Sequence, residues 1–144
     1  MKQKTLAIIK PDAVEKSAIG EIIRRIEEAG FKILAMKYTR LTKSQAMAFY
    51  EVHKEKPFYN DLVKYMTSGP IVPIALEKEN AVEDFRKLIG STDPTKAEEG
   101  TIRKLFGTNI ERNAIHGSDS AENGEREVLF FFSKSELVTT SETF

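Results

Sequence analysis

Apolar positions along the chain fall into blocks of two different periods, and those periods predict the elements. Thr5, Leu6, Ala7, Ile8 and Ile9 form a short apolar run ended by Lys10-Pro11-Asp12. Such a run reads as a buried strand that stops at the proline, which has no N–H to give a ladder. Ile19, Ile22, Ile23 and Ile26 then share one helical face, with Arg24, Arg25, Glu27 and Glu28 on the other. Gly30 stands where a helix C-cap belongs. Phe31-Lys32-Ile33-Leu34-Ala35-Met36 returns to a strand-like pattern. Thr42-Lys43-Ser44-Gln45 matches a capping box and predicts a helix to about His53. Pro57 suits the first turn of another helix, with Phe58, Leu62, Val63 and Met66 on its apolar side.

Ile71-Val72-Pro73-Ile74-Ala75-Leu76 is the next predicted strand, and its internal Pro73 predicts an edge position or a bulge. Asn80 is the expected cap of a helix bearing Val82, Phe85, Leu88 and Ile89, closed by Gly90. From Ser91 to Glu125 the periodicity fades, and only a helical turn or two is expected, from Thr101. A connection this long within a compact domain is functional or disordered. Val128 to Phe132 predicts the last strand, with Phe130-Phe131-Phe132 as core, and the polar tail from Ser133 is expected to be loosely held. The resulting order is strand, helix, strand, helix pair, strand, helix, long loop, strand. With the helix pair collapsed this is β-α-β-β-α-β, an α+β ferredoxin-like sandwich with helices packed on an antiparallel sheet. No repeat, linker or shift of composition divides the chain. One domain is expected over residues 1–144, with 133–144 as its tail.

Composition narrows the chemistry. At 40% hydrophobic and 31% charged over 144 residues, the chain can bury a core and is not of the disordered class. Lys plus Arg equals Asp plus Glu at 22 each, so no global field draws nucleic acid or an anionic membrane. Phosphate affinity must therefore come from a local cluster. The absence of cysteine excludes disulfides, thiolate metal sites and cysteine nucleophiles, and two histidines, His53 and His116, argue against a multi-histidine metal site. No stretch reaches the roughly 18–20 apolar residues that cross a bilayer. The first apolar run is also too short for a signal peptide, so the expected location is the cytoplasm.

No G-x-x-x-x-G-K-[ST] loop, G-x-G-x-x-G fingerprint or G-x-S-x-G elbow is present. Any nucleotide must then be held by side chains. His116 lies in the aperiodic stretch, followed by Gly117 and flanked by hydroxyls and an amide. Imidazole can serve as a nucleophile as well as an acid or base. A phosphorylated imidazole nitrogen is a high-energy group, so onward transfer to another phosphate runs close to thermoneutral. The second ring nitrogen then needs a partner that fixes tautomer and orientation, and Glu127 and Ser118 are the nearby candidates. Lys10, Arg86 and Arg103 are candidate cations for a migrating phosphoryl group, with Thr92 and Asn113 adding a hydroxyl and an amide. Taken singly, each of these reads equally as a solvated surface group. Phe58 is either core or a stacking surface for a base. Tyr50 and His53 are either buried polar residues or pocket wall.

Taken together, these residues carry a resemblance. Asn113-Ala114-Ile115-His116-Gly117-Ser118-Asp119-Ser120 resembles the nucleoside diphosphate kinase signature N-x-x-H-[GA]-S-D-[SA]. Lys10-Pro11-Asp12, Gly20-Glu21-Ile22, Lys56-Pro57-Phe58, Thr67-Ser68-Gly69-Pro70, Gly100-Thr101-Ile102-Arg103 and Phe106-Gly107 match the same family in the same order, from about Lys4 to Phe132. The resemblance implies that His116 is the phosphorylated nucleophile. It implies that Lys10, Tyr50, Arg86, Thr92, Arg103 and Asn113 hold the phosphates and sugar. Phe58 would stack on the base, Leu62 and Ile110 would close the slot, and Ser118 and Glu127 would orient His116. Mg2+ is expected on the nucleotide's phosphates without direct protein ligands, reached by Asp119 through water at most. A tetramer or hexamer built from dimers is also implied. Two sites depart from the common pattern: Lys104-Leu105 stands where Gly-Asp is frequent, and Ser17-Ala18 where a glycine and a large apolar residue are common.

The expected activity is a ping-pong transfer of the γ-phosphate of a nucleoside triphosphate, mainly ATP, to a nucleoside diphosphate, maintaining NTP and dNTP pools. The alternative on the same fold is an inactive relative that binds nucleic acid or acts as a scaffold. Such a relative should have lost the histidine or one of its cations, and the balanced charge offers no basic face. A metal-dependent hydrolase lacks the carboxylate-histidine cluster it would need.

Overall fold

The computed structural model describes residues 2–138. Within them β1 (Lys2–Ile9), β2 (Lys32–Met36), β3 (Val72–Glu79) and β4 (Ile115–Gly117) form one antiparallel sheet in the order β2-β3-β1-β4. This is the ferredoxin-like order expected from the element pattern. β1 is interior, paired along its length with β3 from Lys2 opposite Glu79 to Ile9 opposite Val72, and at its end with β4. Its apolar run is continuous because both of its faces are covered. Ala7 and Ile9 enter one hydrophobic cluster, Leu6 and Ile8 the other.

The first cluster is closed by α2 (Ile19–Glu28) and α5 (Ala81–Ile89), through Ile22, Ile26, Phe85 and Ile89. The second is closed by α3 (Lys43–Phe49), α4 (Tyr59–Met66) and α7 (Ala121–Phe131), through Ala46, Phe49, Val63, Met66, Val128 and Phe131. The capping box is present: the Thr42 hydroxyl accepts from the Gln45 N–H, and the Gln45 side chain accepts from the Thr42 N–H. A short α1 (Pro11–Glu15) follows β1, with Pro11 in its first turn. Gly30 and Gly90 close α2 and α5 with φ of 93° and 91°, a conformation that favours glycine.

Several expectations are corrected. Residues 128–132 are not a strand. Residues 128–131 are the end of α7, whose Ser120 cap accepts from the Asn123 N–H, and Phe132 is the extended residue that closes it. Its buried positions, Gly124, Glu127, Val128 and Phe131, are spaced by three and four. The Phe130-Phe131-Phe132 triplet hides that period: Phe131 and Phe132 are buried while Phe130 is 39% exposed. The fourth strand is instead the three-residue β4, which carries His116 in the stretch read as irregular. A strand that short cannot display a period. Residues 91–125 also hold a 3-10 turn at Pro94–Lys96 and α6 (Ile102–Phe106), the short helix expected from Thr101, whose hydroxyl caps it.

Pro73 does not mark an edge. β3 lies between β1 and β2, and the register shift falls opposite Leu76 and Ala75, between Ile33 and Ala35. Pro73 accepts from the Lys37 N–H. Its missing donor therefore faces the end of β2, where the ladder is finishing anyway. Asn80 occupies the cap position of α5, but its side chain accepts no hydrogen bond; it donates to Glu83 and Asp84. The near part of the tail is held: Leu137 packs on the second cluster and the Val138 N–H donates to Leu34 O. The expectation of a loose tail over 139–144 lies outside the described residues. Ser17, where the resemblance would lead one to expect glycine, has φ of 60°, a conformation that glycine adopts more readily.

Candidate active site

β4 places His116 opposite Ile8 of β1, with its side chain 20% exposed. Two turns into α7, Glu127 Oε1 stands 2.8 Å from His116 Nε2. Ser118 Oγ donates to the same Oε1 at 2.8 Å and accepts from the Leu6 N–H at 3.0 Å. Burial alone would raise the Glu127 carboxyl. The hydrogen bond and charge of His116, with the Ser118 hydroxyl, outweigh it and hold the group below its ordinary value. A carboxylate only accepts, so Nε2 carries the ring proton and Nδ1 carries the lone pair. The edge of Phe49 closes on the imidazole, ring centres 5.7 Å apart.

The cations come from three separate elements. Lys10, at the end of β1, is buried and its Nζ donates to Asn113 Oδ1 at 2.8 Å. Asn113 Nδ2 in turn donates to Thr92 O at 3.0 Å. Burial first, then the charge of Arg103, lowers the Lys10 ammonium to about 8. Arg103, on α6, donates from Nη1 to Gly90 O at 3.0 Å and from Nη2 to Ile115 O at 2.9 Å. Its Nε is buried without a partner, and burial with the charge of Arg86 lowers the guanidinium to about 10. Two guanidinium groups that destabilise one another form a site suited to an anion.

Arg86, Thr92, Arg103 and Gly117 line a cavity of about 700 Å³, together with Lys87 and Lys96. A second cavity of about 120 Å³ is lined by Tyr50, His53, His116, Asp119, Arg126 and Glu127, among others. Gly117 borders both, so β4 is their common wall. A Cβ at Gly117 would meet the Phe85 ring at 2.9 Å and Ile89 at 3.1 Å, so glycine lets β4 lie against α5. Tyr50 is buried with its hydroxyl unpartnered, and burial followed by the Glu127 charge pushes its pKa up. Asp119 is exposed and accepts from Asn123 Nδ2. That bond is the largest influence holding its carboxyl below the ordinary range, ahead of the charges of Arg86 and His116.

The structure therefore gathers His116, Glu127, Ser118 and Tyr50 into one cluster, and Arg86, Thr92 and Arg103 around one cavity. Lys10 and Asn113 join the two through the backbone of the residue 113–115 turn. Phe58, Leu62 and Ile110 line neither cavity. Phe58 stands at the start of α4, 49% exposed, its ring 5.5 Å from that of His53. The core reading of Phe58 is thus set aside. Leu62 packs partly on the second cluster, and Ile110 is 62% exposed at the tip of a loop that Thr108 and Asn109 close onto Arg112 O.

Sequence reasoning passed over Asp12 and Tyr65. The Tyr65 hydroxyl donates to Asp12 Oδ1 and accepts from the Asp12 N–H, and Asp12 Oδ2 accepts from the Ala114 N–H at 3.0 Å. The signal for Asp12 was a carboxylate directly after Lys10-Pro11, read as the end of a strand and as part of the family resemblance but given no role of its own.

Comparison with known proteins finds relatives over nearly the whole chain. A family model described as nucleoside diphosphate kinase matches residues 3–137. The nucleoside diphosphate kinase of Chlorobaculum tepidum is 61% identical over 136 residues, which cover 94% of this chain and 97% of that protein. That of Salinibacter ruber is 52% identical over 139 residues, covering 96% and 98%. Among solved structures, the Aquifex aeolicus nucleoside diphosphate kinase superposes with a TM-score of 0.94 at 45% identity, over 96% of this chain and all of that one. The Halobacterium salinarum nucleoside diphosphate kinase, solved in complex with CDP, gives 0.93 at 36% identity over 99% and 95%.

Proposed function

This chain belongs to the nucleoside diphosphate kinase family and has that enzyme activity, and we propose that it works by a ping-pong mechanism through a phosphohistidine at His116. The observation that carries this reading is the Glu127–His116 pair, which commits Nε2 to the carboxylate and leaves the lone pair on Nδ1. Nδ1 attacks the γ-phosphorus of a nucleoside triphosphate, mainly ATP. The bond from that phosphorus to the β–γ bridging oxygen breaks, and the nucleoside diphosphate leaves. Glu127 balances the positive charge gained by the ring. A terminal phosphate oxygen of a second diphosphate then attacks the phosphohistidine and restores His116.

Lys10, Tyr50, Arg86, Thr92, Arg103 and Asn113 hold the phosphates and sugar in this reading. The cavity that Arg86, Thr92 and Arg103 line and the crowding of cations there support this for those three, and the Lys10–Asn113–Thr92 hydrogen bonds support it for Lys10 and Asn113. Phe58 stacks on the base, with Leu62 and Ile110 beside it, and the exposure of Phe58 supports this. Stacking does not discriminate among bases, so the same slot serves donor and acceptor; the CDP bound to the Halobacterium relative agrees with that tolerance. Ser118 orients Glu127.

Mg2+ bound to the nucleotide would supply charge neutralisation on the phosphates. Asp119, exposed and within electrostatic reach of His116 and Arg86, is the carboxylate that could meet such a cation through water. We place the enzyme in the cytoplasm, working on NTP and dNTP pools, with no nucleic acid as main partner. No helix among the described residues is long and apolar enough to cross a membrane. A tetramer or hexamer of dimers is proposed from the family, supported here by Met36 and Tyr38, 49% and 65% exposed, on and beside β2 at one side of the sheet.

The test is initial-rate kinetics with ATP and GDP varied together. Parallel double-reciprocal lines, and ATP–ADP exchange without a second nucleotide, are expected. Intersecting lines with no exchange would mean direct transfer between two bound nucleotides.

A further inference from the structure

The geometry points to Asp12 and Tyr65 as positioning residues that hold the Ala114 peptide in a strained turn and so set where Asn113 and His116 stand relative to one another. This rests on the reading of His116 as nucleophile. Ala114 is fully buried with φ of 75°, and the Ile115 N–H donates back to Asn113 O at 2.9 Å. A bond between residues two apart around a positive φ is the rare, strained form of the γ-turn. A residue with a Cβ keeps such a conformation only where its surroundings over-determine it.

Here both peptide groups of Ala114 are tied. Its carbonyl accepts from the Lys10 N–H at 2.8 Å, and its N–H donates to Asp12 Oδ2 at 3.0 Å. Asp12 is itself fixed. It is buried, its Oδ1 accepts from the Tyr65 hydroxyl, and its N–H donates back to that hydroxyl at 3.0 Å. The buried Tyr65 ring is covered by the guanidinium of Arg112, 5.1 Å from its centre, and Arg112 directly precedes Asn113.

The turn separates two groups that must act together. Asn113, paired with Lys10 Nζ, lies one residue before Ala114, and His116 lies two residues after it. If the turn relaxed, the nucleophile would move against the phosphate-binding set even with every site side chain present. Asp12 and Tyr65 line neither cavity beside Gly117, so their influence passes through the backbone.

The experiment pairs Tyr65→Phe with Ala114→Gly. Tyr65→Phe keeps the ring and removes the donor to Asp12. A misplacement of this kind should cost about tenfold or more in kcat, with KM for nucleotide moving by less than about threefold. Glycine adopts the positive φ without strain, so Ala114→Gly added to Tyr65→Phe should restore most of the lost turnover. A residue that only stabilised the fold would not be rescued in kcat by a change at a turn it does not cover. A folded Tyr65→Phe with kcat within about twofold of the parent, or a double variant that stays slow or unfolded, overturns the assignment. Labelling of the parent at His116 is read first. Label without rescue removes the Asp12–Tyr65 assignment alone, whereas absence of label removes the nucleophile.

Discussion

Glu127 Oε1 lies 2.8 Å from both His116 Nε2 and Ser118 Oγ, so one carboxylate oxygen orients the imidazole and is itself anchored, through Ser118, to the Leu6 N–H of the central strand. The nucleophile thus inherits the rigidity of β1. Replacing Glu127 by Ala frees the tautomer and the ring, and a loss of about 10–100-fold in kcat is expected, the range seen when the carboxylate behind a metal-bound histidine is removed. Ser118→Ala removes two hydrogen bonds, of which only the one to Glu127, worth about 1 kcal/mol, bears on the imidazole, so a loss of only about fivefold in kcat is expected. Steady-state kinetics of the two variants, beside equal His116 occupancy by label, checks the order.

Lys10 makes the enzyme sensitive to alkaline pH. Its ammonium is lowered to about 8 by burial and then by Arg103. Nucleotide phosphates favour the charged form. Below pH 8 the free site already holds that proton, and above it binding must take one up. The apparent Kd for ADP should therefore rise by up to about tenfold per pH unit above 8. Lys10→Met should bind weakly at all pH values and lose this limb. Calorimetry in buffers of different ionisation enthalpy reads the proton uptake directly.

Phe58 should contribute to all nucleotides alike. Loss of a stacking surface costs about 1–3 kcal/mol. Phe58→Ala should raise KM for ATP, GTP and CTP by similar factors with little change in kcat. Because the ring is 49% exposed, the melting temperature should scarcely move. A loss confined to one base would contradict stacking as the mode of recognition.

Arg103 cannot be replaced by lysine. Its Nη1 and Nη2 reach two carbonyls on different elements, Gly90 O and Ile115 O, and an ammonium on a flexible stem cannot reproduce that fork. Arg103→Lys should lose about tenfold or more in kcat/KM, since each charge-assisted bond is worth about 1.5–3 kcal/mol. A measured loss below about twofold would show that positive charge alone suffices.

Much of this was legible before any coordinates. The strand of residues 5–9 is apolar on both sides because both sides are covered, and the Thr42–Gln45 pair announces its own helix. The need of His116 for a tautomer partner made Glu127 and Ser118 the nearby candidates, and the structure places both beside it. What failed was local period. Three consecutive phenylalanines at the end of α7 imitate a strand, while β4 is too short to show any alternation. Pro73 misled because proline is harmful in a ladder only where its missing N–H is needed, which depends on where the neighbouring strand ends. The Asp12–Tyr65–Ala114 link could not be read at all. It joins residues 53 and 102 positions apart, and no spacing rule carries contact over that distance.

The most direct test of the account is incubation with γ-labelled ATP and Mg2+. The expected product is the protein carrying an acid-labile, alkali-stable label that added GDP discharges as labelled GTP, and His116→Ala should carry none. An unlabelled parent, or an undiminished label on His116→Ala, would contradict the assignment of His116 as the residue that carries the phosphate.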